Sequence, residues 1–382
     1  MANRKLNTAV IGAGFIGKTH VENIRRLGNV NVVAIGASSA ESAGRAAAQL
    51  GIERGEADWR KILEIPGLDA IHICTPNANH VEVAAAALEL GKHVLCEKPL
   101  TASVADAEKL VTLAGAKKLR NATCHNLRYY PMVQQMRRMR EEGDLGEILI
   151  IQGGYNQDWL LYDSDWNWRI DAAASGPLRA MADIGSHWFD MAEHITGHRV
   201  STLTADLTTF HPVRQKPAGA VEAFAGKDGP KGKAVPFNVE TDDFGSAIFR
   251  TNQGARGALT ASQMSTGRKN RLSIEIYGTK AGVAWDQEQP DQLWIGRRNE
   301  YNQLLVKDPA LMKGSARSYA DLPGGHSEGY SDTFKQVFRR FYDSIVRPEA
   351  AAEYPEFADG LRQMRILDAV LTSHRQRAWV NV

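Results

Sequence analysis

Cysteine is scarce in this chain: three in 382 residues, Cys74, Cys96 and Cys124, with no spacing between them that suits a metal ion. All three fall in or beside apolar segments that read as buried strands, so reduced thiols in a reducing compartment are expected. An excess of one charge is also lacking. The 46 Lys and Arg against 44 Asp and Glu leave a formal +2, and no basic stretch is sustained, which argues against a nucleic-acid surface. No apolar run approaches a membrane span. Met1-Ala2-Asn3-Arg4-Lys5 lead straight into the first apolar segment, so no signal peptide and a cytoplasmic location are expected. The remainder, 43% hydrophobic and 24% charged, has the composition of a soluble globular protein, and its length predicts two domains.

Glycine is plentiful, and one cluster of it is ordered. Gly12-Ala13-Gly14-Phe15-Ile16-Gly17 follows the β-branched run Leu6 to Ile11 and precedes Lys18 to Leu27, where Val21, Ile24 and Leu27 keep helical spacing. Strand, glycine turn and helix together form the setting of a dinucleotide site. Gly12 would permit the tight turn, Gly14 would let a pyrophosphate approach the backbone, and Gly17 would let helix and strand pack closely. Amide groups at the helix start would face the phosphate. The plain alternative is a βα turn with incidental glycines.

The first third alternates strand and helix signals. Strands are predicted at Val30 to Ile35, Ala70 to Cys74, His93 to Cys96 and Asn121 to Cys124, and helices at Glu41 to Leu50, Val81 to Leu90 and Val104 to Ala114. This alternation implies a parallel sheet covered on both faces. After Asn126 the pattern changes. A helix at Met132 to Glu142 is followed by β-rich runs at Ile148 to Gln157, Val200 to Phe210, Phe244 to Thr251, Ala255 to Met264, Arg271 to Gly278, Val283 to Trp285 and Leu293 to Ile295. Short polar turns such as Asn252-Gln253-Gly254 suggest antiparallel pairing. Further helices are predicted at Asp183 to Thr196, Tyr330 to Val346 and Phe357 to Gln376. Pro212 to Pro236, rich in Gly, Pro, Lys and Ala, reads as a long exposed loop. The expected fold is α/β: a Rossmann domain over 1–128, then an α/β domain over 129–382 with an open, mostly antiparallel sheet.

Several residues could carry chemistry. Glu97-Lys98-Pro99 follows the fourth strand at its carboxyl end, the edge where parallel sheets bind ligands. Lys98 there could reach a nicotinamide ribose and a substrate hydroxyl, and would favour an alkoxide-like transition state; a loop lysine is otherwise simply solvated. Thr75-Pro76-Asn77 and His80 lie at the same edge, with Asn77 expected to cap the next helix. Asp183 and His187 stand at i and i+4, so on a helix they share a face. A histidine there could take an alcohol proton while the carboxylate orients its ring; the alternative is a helix-surface ion pair. Asp190 and His194 repeat the spacing, but hydride transfer needs no metal, and none is expected. Trp159, Trp166, Trp168 and Trp188 fall within thirty residues, with Arg169 after Trp168. Aromatic faces suit sugars and Arg suits hydroxyls, although such rings are more often core.

Taken together, these residues resemble the Gfo/Idh/MocA oxidoreductases, the family of glucose–fructose oxidoreductase and inositol dehydrogenase. The matching pieces are the glycine turn, Thr75-Pro76-Asn77 with His80, Glu97-Lys98-Pro99, Asn126-x-Arg128 with Pro131, and Asp183-x-Gly185-x-His187 with Asp190, in this order across essentially the whole chain. The resemblance implies catalysis by Lys98, Asp183 and His187, with His187 as general base. It implies a sugar site lined by Asn126, Arg128, Trp166, Trp168, Arg169, His187, His326 and Tyr330, and a dimer or tetramer formed through the second sheet. The cofactor would be NAD or NADP, held by Gly12, Gly14, Phe15, Ile16, Gly17, Ala37, Ser38, Ser39, Thr75, Pro76, Asn77, His80, Glu97 and Lys98. One departure bears on that choice. The second strand ends Ile35-Gly36-Ala37-Ser38-Ser39, without the acidic residue that usually binds the ribose of NAD, so the loop leans toward NADP. The expected activity is oxidation or reduction of a sugar, anhydrosugar or cyclitol. Its rivals are an NAD-dependent glycosidase working by transient oxidation and a nucleotide-binding protein without turnover.

Overall fold

The computed structural model describes residues 5–218 and 233–382. The leading elements are β1 (Leu6–Ile11), α1 (Phe15–Arg25), β2 (Val30–Gly36), α2 (Ala40–Leu50), β3 (Arg54–Glu56), α3 (Trp59–Leu63), β4 (Ala70–Ile73), α4 (His80–Glu89), β5 (His93–Cys96), α5 (Val104–Lys117) and β6 (Asn121–Thr123). There follow α6 (Pro131–Glu141), β7 (Ile148–Asn156), the short α7 (Ala172–Ser175), α8 (Ser186–Thr196), β8 (Val200–Thr208), β9 (Val213–Pro217) and β10 (Ala234–Asn238). The chain ends with β11 (Phe244–Thr251), β12 (Arg256–Ser262), β13 (Arg271–Gly278), β14 (Gly282–Asp286), β15 (Gln292–Gly296), β16 (Gln303–Val306), α9 (Tyr330–Val346), α10 (Phe357–Gln376) and β17 (Val380–Asn381). Two compact units result. The first runs to Asn126 and takes in Ala173–Gly176 and Phe334–Met364; the second holds Leu127–Ala172, Pro177–Thr333 and Arg365–Val382.

In the first unit six parallel strands lie in the order β3-β2-β1-β4-β5-β6. Every residue of β4 is buried, as a strand covered on both faces requires. The order reverses between β1 and β4, and crevices at such a switch point bind nucleotides. The register then sets the chemistry. Ile11 pairs with Gly36 and with Ile73, and Ile73 pairs with Cys96. Four strands therefore end level, and Gly12, Ala37, Thr75 and Glu97-Lys98 follow them along one edge.

The second unit carries nine strands in the order β16-β15-β14-β13-β7-β12-β11-β8-β17. Only the β7–β12 pair among them is parallel; the others are antiparallel. Period-2 alternation buries Leu272, Ile274 and Ile276 of β13 and Ala247 and Phe249 of β11. On the helical side Trp188 of α8 is fully buried, meets Phe249 edge-on and donates its indole N–H to the Ser273 carbonyl at 3.0 Å. This tryptophan is core. The expected α/β architecture of one parallel and one mostly antiparallel sheet is the one found.

Four local expectations need correcting. The stretch 212–236 is not a simple loop: β9 and β10 pair antiparallel from Ala234↔Pro217 to Asn238↔Val213, while 219–232 lie outside the described residues. Arg214 of β9 points inward to Asp243 and to the carbonyls of Leu160 and Tyr162, and a buried Arg breaks the apolar alternation that would have marked the strand. β3 and β16 were also hidden, being three and four residues long. The helix expected from Asp183 begins as a wider π turn, Met181–Gly185, closed by Ser186 N–H to the Met181 carbonyl. The buried Asp242 carboxylate anchors that turn by accepting the amides of Arg179 and Met181 at 2.6 and 2.8 Å. Asn77 does not cap α4: its side chain donates to the Ser175 carbonyl at 2.8 Å, and Asn79 holds the cap position.

Candidate active site

The nucleotide half lies in the first unit. Gly12 takes φ +114°, where a side chain is strained, and a Cβ on it would lie 2.4 Å from the Cys74 carbonyl oxygen. A Cβ on Gly17 would lie 1.7 Å from the Gly12 carbonyl oxygen, so helix and turn are in backbone contact. Gly14 differs, with nothing within 4 Å of its Cβ position. α1 also lacks a side-chain cap and any acidic residue in its first turn, whereas Ser39 and Ser103 cap α2 and α5. An open glycine before an uncapped helix start fits a pyrophosphate, which would take the orphan amides that caps satisfy elsewhere. Phe15 is exposed and Ile16 half-buried beside this turn.

The ribose end is more particular. Ser38 and Ser39 are both exposed, and Ser39 spends its hydroxyl in a capping box with Ser42. The Ala37 amide donates to the Glu56 carbonyl at 3.0 Å, so β3 brings an acidic residue alongside that sequence spacing did not reveal. Arg54 pairs with the Glu56 carboxylate at 2.8 Å. At the neighbouring strand ends the two ring nitrogens of His80 contact the carbonyls of Thr75 and Pro99 at 2.9 and 3.0 Å. His80 thus ties the Thr75-Pro76-Asn77 turn to the Glu97-Lys98-Pro99 turn, and Glu97 accepts the Lys98 amide at 3.2 Å.

The carboxylate and imidazole singled out in the sequence, Asp183 and His187, lie in the second unit. One Asp183 oxygen accepts from Arg169 Nε at 3.0 Å and the other from Gln263 Nε2 at 3.0 Å. Arg169 also donates to Asn167 at 3.2 Å and lies over the Trp168 ring at 4.5 Å. His187 is 7% exposed, so it is not a helix-surface residue; its ring lies 6.3 Å from that of Tyr155, whose hydroxyl donates to Asn270. Gln263, Tyr155 and Asn270 were missed in the sequence. Tyr155 was legible by alternation with Ile151 on β7, but Gln263 carries no sequence signal.

The other expected residues have the following surroundings. Arg128 grips Asp190 with two hydrogen bonds, at 2.6 and 2.5 Å, and His194 Nε2 meets Gln134 at 3.0 Å. Trp166 packs edge-on to Phe237 in a small cluster with Leu160, Ile170 and Val239. Asn126 is buried at the end of the first unit. His326 is exposed and contacts the Gly324 carbonyl, and Tyr330 opens α9. All three cysteines are free; Cys96 and Cys124 are buried and Cys74 half-buried. Among the described residues no helix is long and apolar enough to cross a membrane.

A parallel sheet with a glycine turn and an uncapped helix start at its switch point is the architecture of a dinucleotide-binding oxidoreductase. Comparison with known proteins agrees. Residues 6–125 match the oxidoreductase family with NAD-binding Rossmann fold, and 133–284 match the Gfo/Idh/MocA C-terminal domain. Levoglucosan dehydrogenase of Pseudarthrobacter phenanthrenivorans is 30% identical over 99% of this chain and 98% of its own. Myo-inositol 2-dehydrogenase of Thermotoga maritima is 26% identical over 91% and 90%. A solved levoglucosan dehydrogenase in complex with NADH and L-sorbose superposes with a TM-score of 0.89 at 28% identity, over 99% and 98% of the two chains. The chain belongs to the Gfo/Idh/MocA family of oxidoreductases.

Proposed function

We propose that this protein is an NAD(P)-dependent dehydrogenase or reductase acting on a hydroxyl or keto carbon of a sugar, anhydrosugar or cyclitol. The observation that carries the reading is the register of the parallel sheet, which ends four strands level and sets Lys98 on the same edge as the glycine turn. The likeness to levoglucosan and inositol dehydrogenases supports the substrate class. A bound nicotinamide supplies the hydride acceptor. The protein's part is acid–base and electrostatic. His187 removes the hydroxyl proton, Asp183 stabilises the charge that His187 gains, and the Lys98 ammonium faces the oxygen as negative charge develops. Arg169 and Gln263 hold Asp183 in place, and Trp168 offers a face to the sugar.

The Ala37-Ser38-Ser39 loop carries no acidic side chain of its own, which supports acceptance of NADP as well as NAD. Exposed Ile150, Ile248 and Leu304 leave an apolar outer face on the nine-stranded sheet, which supports a homodimer or homotetramer built through it. A cytoplasmic setting suits three free thiols. The test is a panel of sugars, anhydrosugars and cyclitols, levoglucosan and myo-inositol among them, with each cofactor, followed at the nicotinamide absorbance. Reduced cofactor accumulating with one of them bears out the reading. Glycoside cleavage without net reduction would favour the glycosidase, and no turnover a binding protein.

A further inference from the structure

A file of buried polar groups crosses the first unit, and nothing in the reaction as described uses it. Tyr342 of α9 meets His72 Nε2 of β4 at 2.8 Å. His72 Nδ1 meets His20 Nδ1 of α1 at 2.9 Å, and His20 Nε2 meets Glu97 Oε1 at 3.0 Å. Tyr342 is 1% exposed and both histidines 0%. Phe338 of α9 packs edge-on against both imidazoles, at 4.7 Å from each, and Phe334 lies 5.4 Å from His20.

Lone pairs and protons in this file can be counted. Burial pushes the Glu97 carboxyl up, but the His20 hydrogen bond and the His20 and Lys98 charges outweigh it and hold the group below its ordinary value. A carboxylate only accepts, so His20 Nε2 donates. Burial holds His72 well below its ordinary value. Cys124 brings a third ligand-type atom within 4.8 Å of His20 and Glu97. Yet the 3.0 Å between His20 Nε2 and Glu97 Oε1 is a hydrogen bond, shorter than the roughly 3.3 Å that two nitrogen or oxygen ligands on a tetrahedral ion would need.

The file ends on Lys98: the second Glu97 oxygen, Oε2, accepts the Lys98 amide at 3.2 Å. We propose that His20 is a positioning residue, which through Glu97 fixes the Lys98 backbone to the helix that follows the glycine turn. The inference rests on the reading of Lys98 as the cation at the reacting oxygen. Its physical content is that nucleotide helix and lysine loop share one buried hydrogen-bonded anchor, so that the lysine keeps a constant height relative to the cofactor edge.

The test compares His20→Leu, which fills the aromatic sleeve without hydrogen bonds, with His20→Gln, which returns an N–H toward Glu97. Amide hydrogen exchange at Lys98 needs no substrate, so it stands even if no sugar is turned over. Exchange there is expected to rise about tenfold in His20→Leu, the loss of one anchored hydrogen bond, and to return toward wild type in His20→Gln. With a substrate in hand, kcat of His20→Leu is expected to fall about 10- to 100-fold while the NAD dissociation constant changes little, because a small displacement of Lys98 misaligns the reaction and leaves the glycine turn intact. Should His20→Leu fail to fold, Glu97→Gln replaces it: its amide can serve either His20 or the Lys98 N–H as acceptor, not both, and Lys98 exchange is expected to rise. Unchanged exchange in a folded variant, or faster exchange with wild-type kcat, overturns the proposal.

Discussion

Two single alanines separate the two jobs of the glycine turn. In Gly17→Ala the new methyl would stand 1.7 Å from the Gly12 carbonyl oxygen and 2.9 Å from its carbon. Both are backbone, so neither can rotate away, and the turn itself has to open. Overpacking of this kind costs about 2–3 kcal/mol. At about 2.1 cal/mol/K of unfolding entropy per residue, that lowers the melting temperature of a 382-residue protein by roughly 2.5–4 °C. In Gly14→Ala the methyl meets no protein atom within 4 Å, and the backbone at φ −73°, ψ −172° suits alanine. The protein loses only the advantage of glycine over alanine at a helix cap, about 1 kcal/mol or less. The same methyl occupies the face where a pyrophosphate would approach, so NAD affinity should fall about tenfold or more, equivalent to at least ~1.4 kcal/mol. Melting curves without ligand and a fluorescence titration with NAD read the two effects separately. Gly14→Ala binding NAD as tightly as wild type would refute the placement of the phosphates, and Gly17→Ala melting at the wild-type temperature would refute the close packing.

His187→Ala should retain NAD binding and lose about two to four orders of magnitude in turnover, as for a removed general base; activity within a few-fold of wild type would take His187 out of the mechanism. Lys98→Met should depress turnover and weaken cofactor binding somewhat; no change in either would leave Lys98 an ordinary loop residue. Ala37→Asp should shift preference toward NAD by setting a charge against a 2′-phosphate, read from paired dissociation constants for NAD and NADP; an unchanged ratio would show that this loop does not read the ribose. Burial lowers both His72 and His80 below the ordinary 6.5, although the carbonyls facing His80 pull the other way. Each binds its proton less well folded than unfolded. Stability is therefore fully present above about pH 6.5 and declines as pH falls below it, by up to about 1.4 kcal/mol per pH unit for each histidine, down to the folded values. Urea unfolding across that range checks this, and a flat profile would contradict it.

Local spacing alone determined much of this protein. Apolar runs, glycine stops and short polar turns placed the long strands within about two residues and the long helices within about three, because period and turn chemistry are local properties. The order of the motifs, from Gly12 through Glu97-Lys98-Pro99 to His187, was enough to indicate the family. Tertiary structure decided what side chains at long separation do. The i+4 spacing of Asp183 and His187 does not reveal the π turn anchored by Asp242, nor that the Asp183 oxygens accept from Arg169 and from Gln263, eighty residues away. The pairing of Arg128 with Asp190, sixty-two residues on, has no mark in the local sequence. Glu56 comes beside Ala37 only through the pairing of β2 with β3. His20, three residues from the last glycine and looking like any helix residue, is held between His72 and Glu97. Hydrogen-bond partners of buried polar groups follow from the path of the whole chain, and one-dimensional periodicity records only which face a residue occupies.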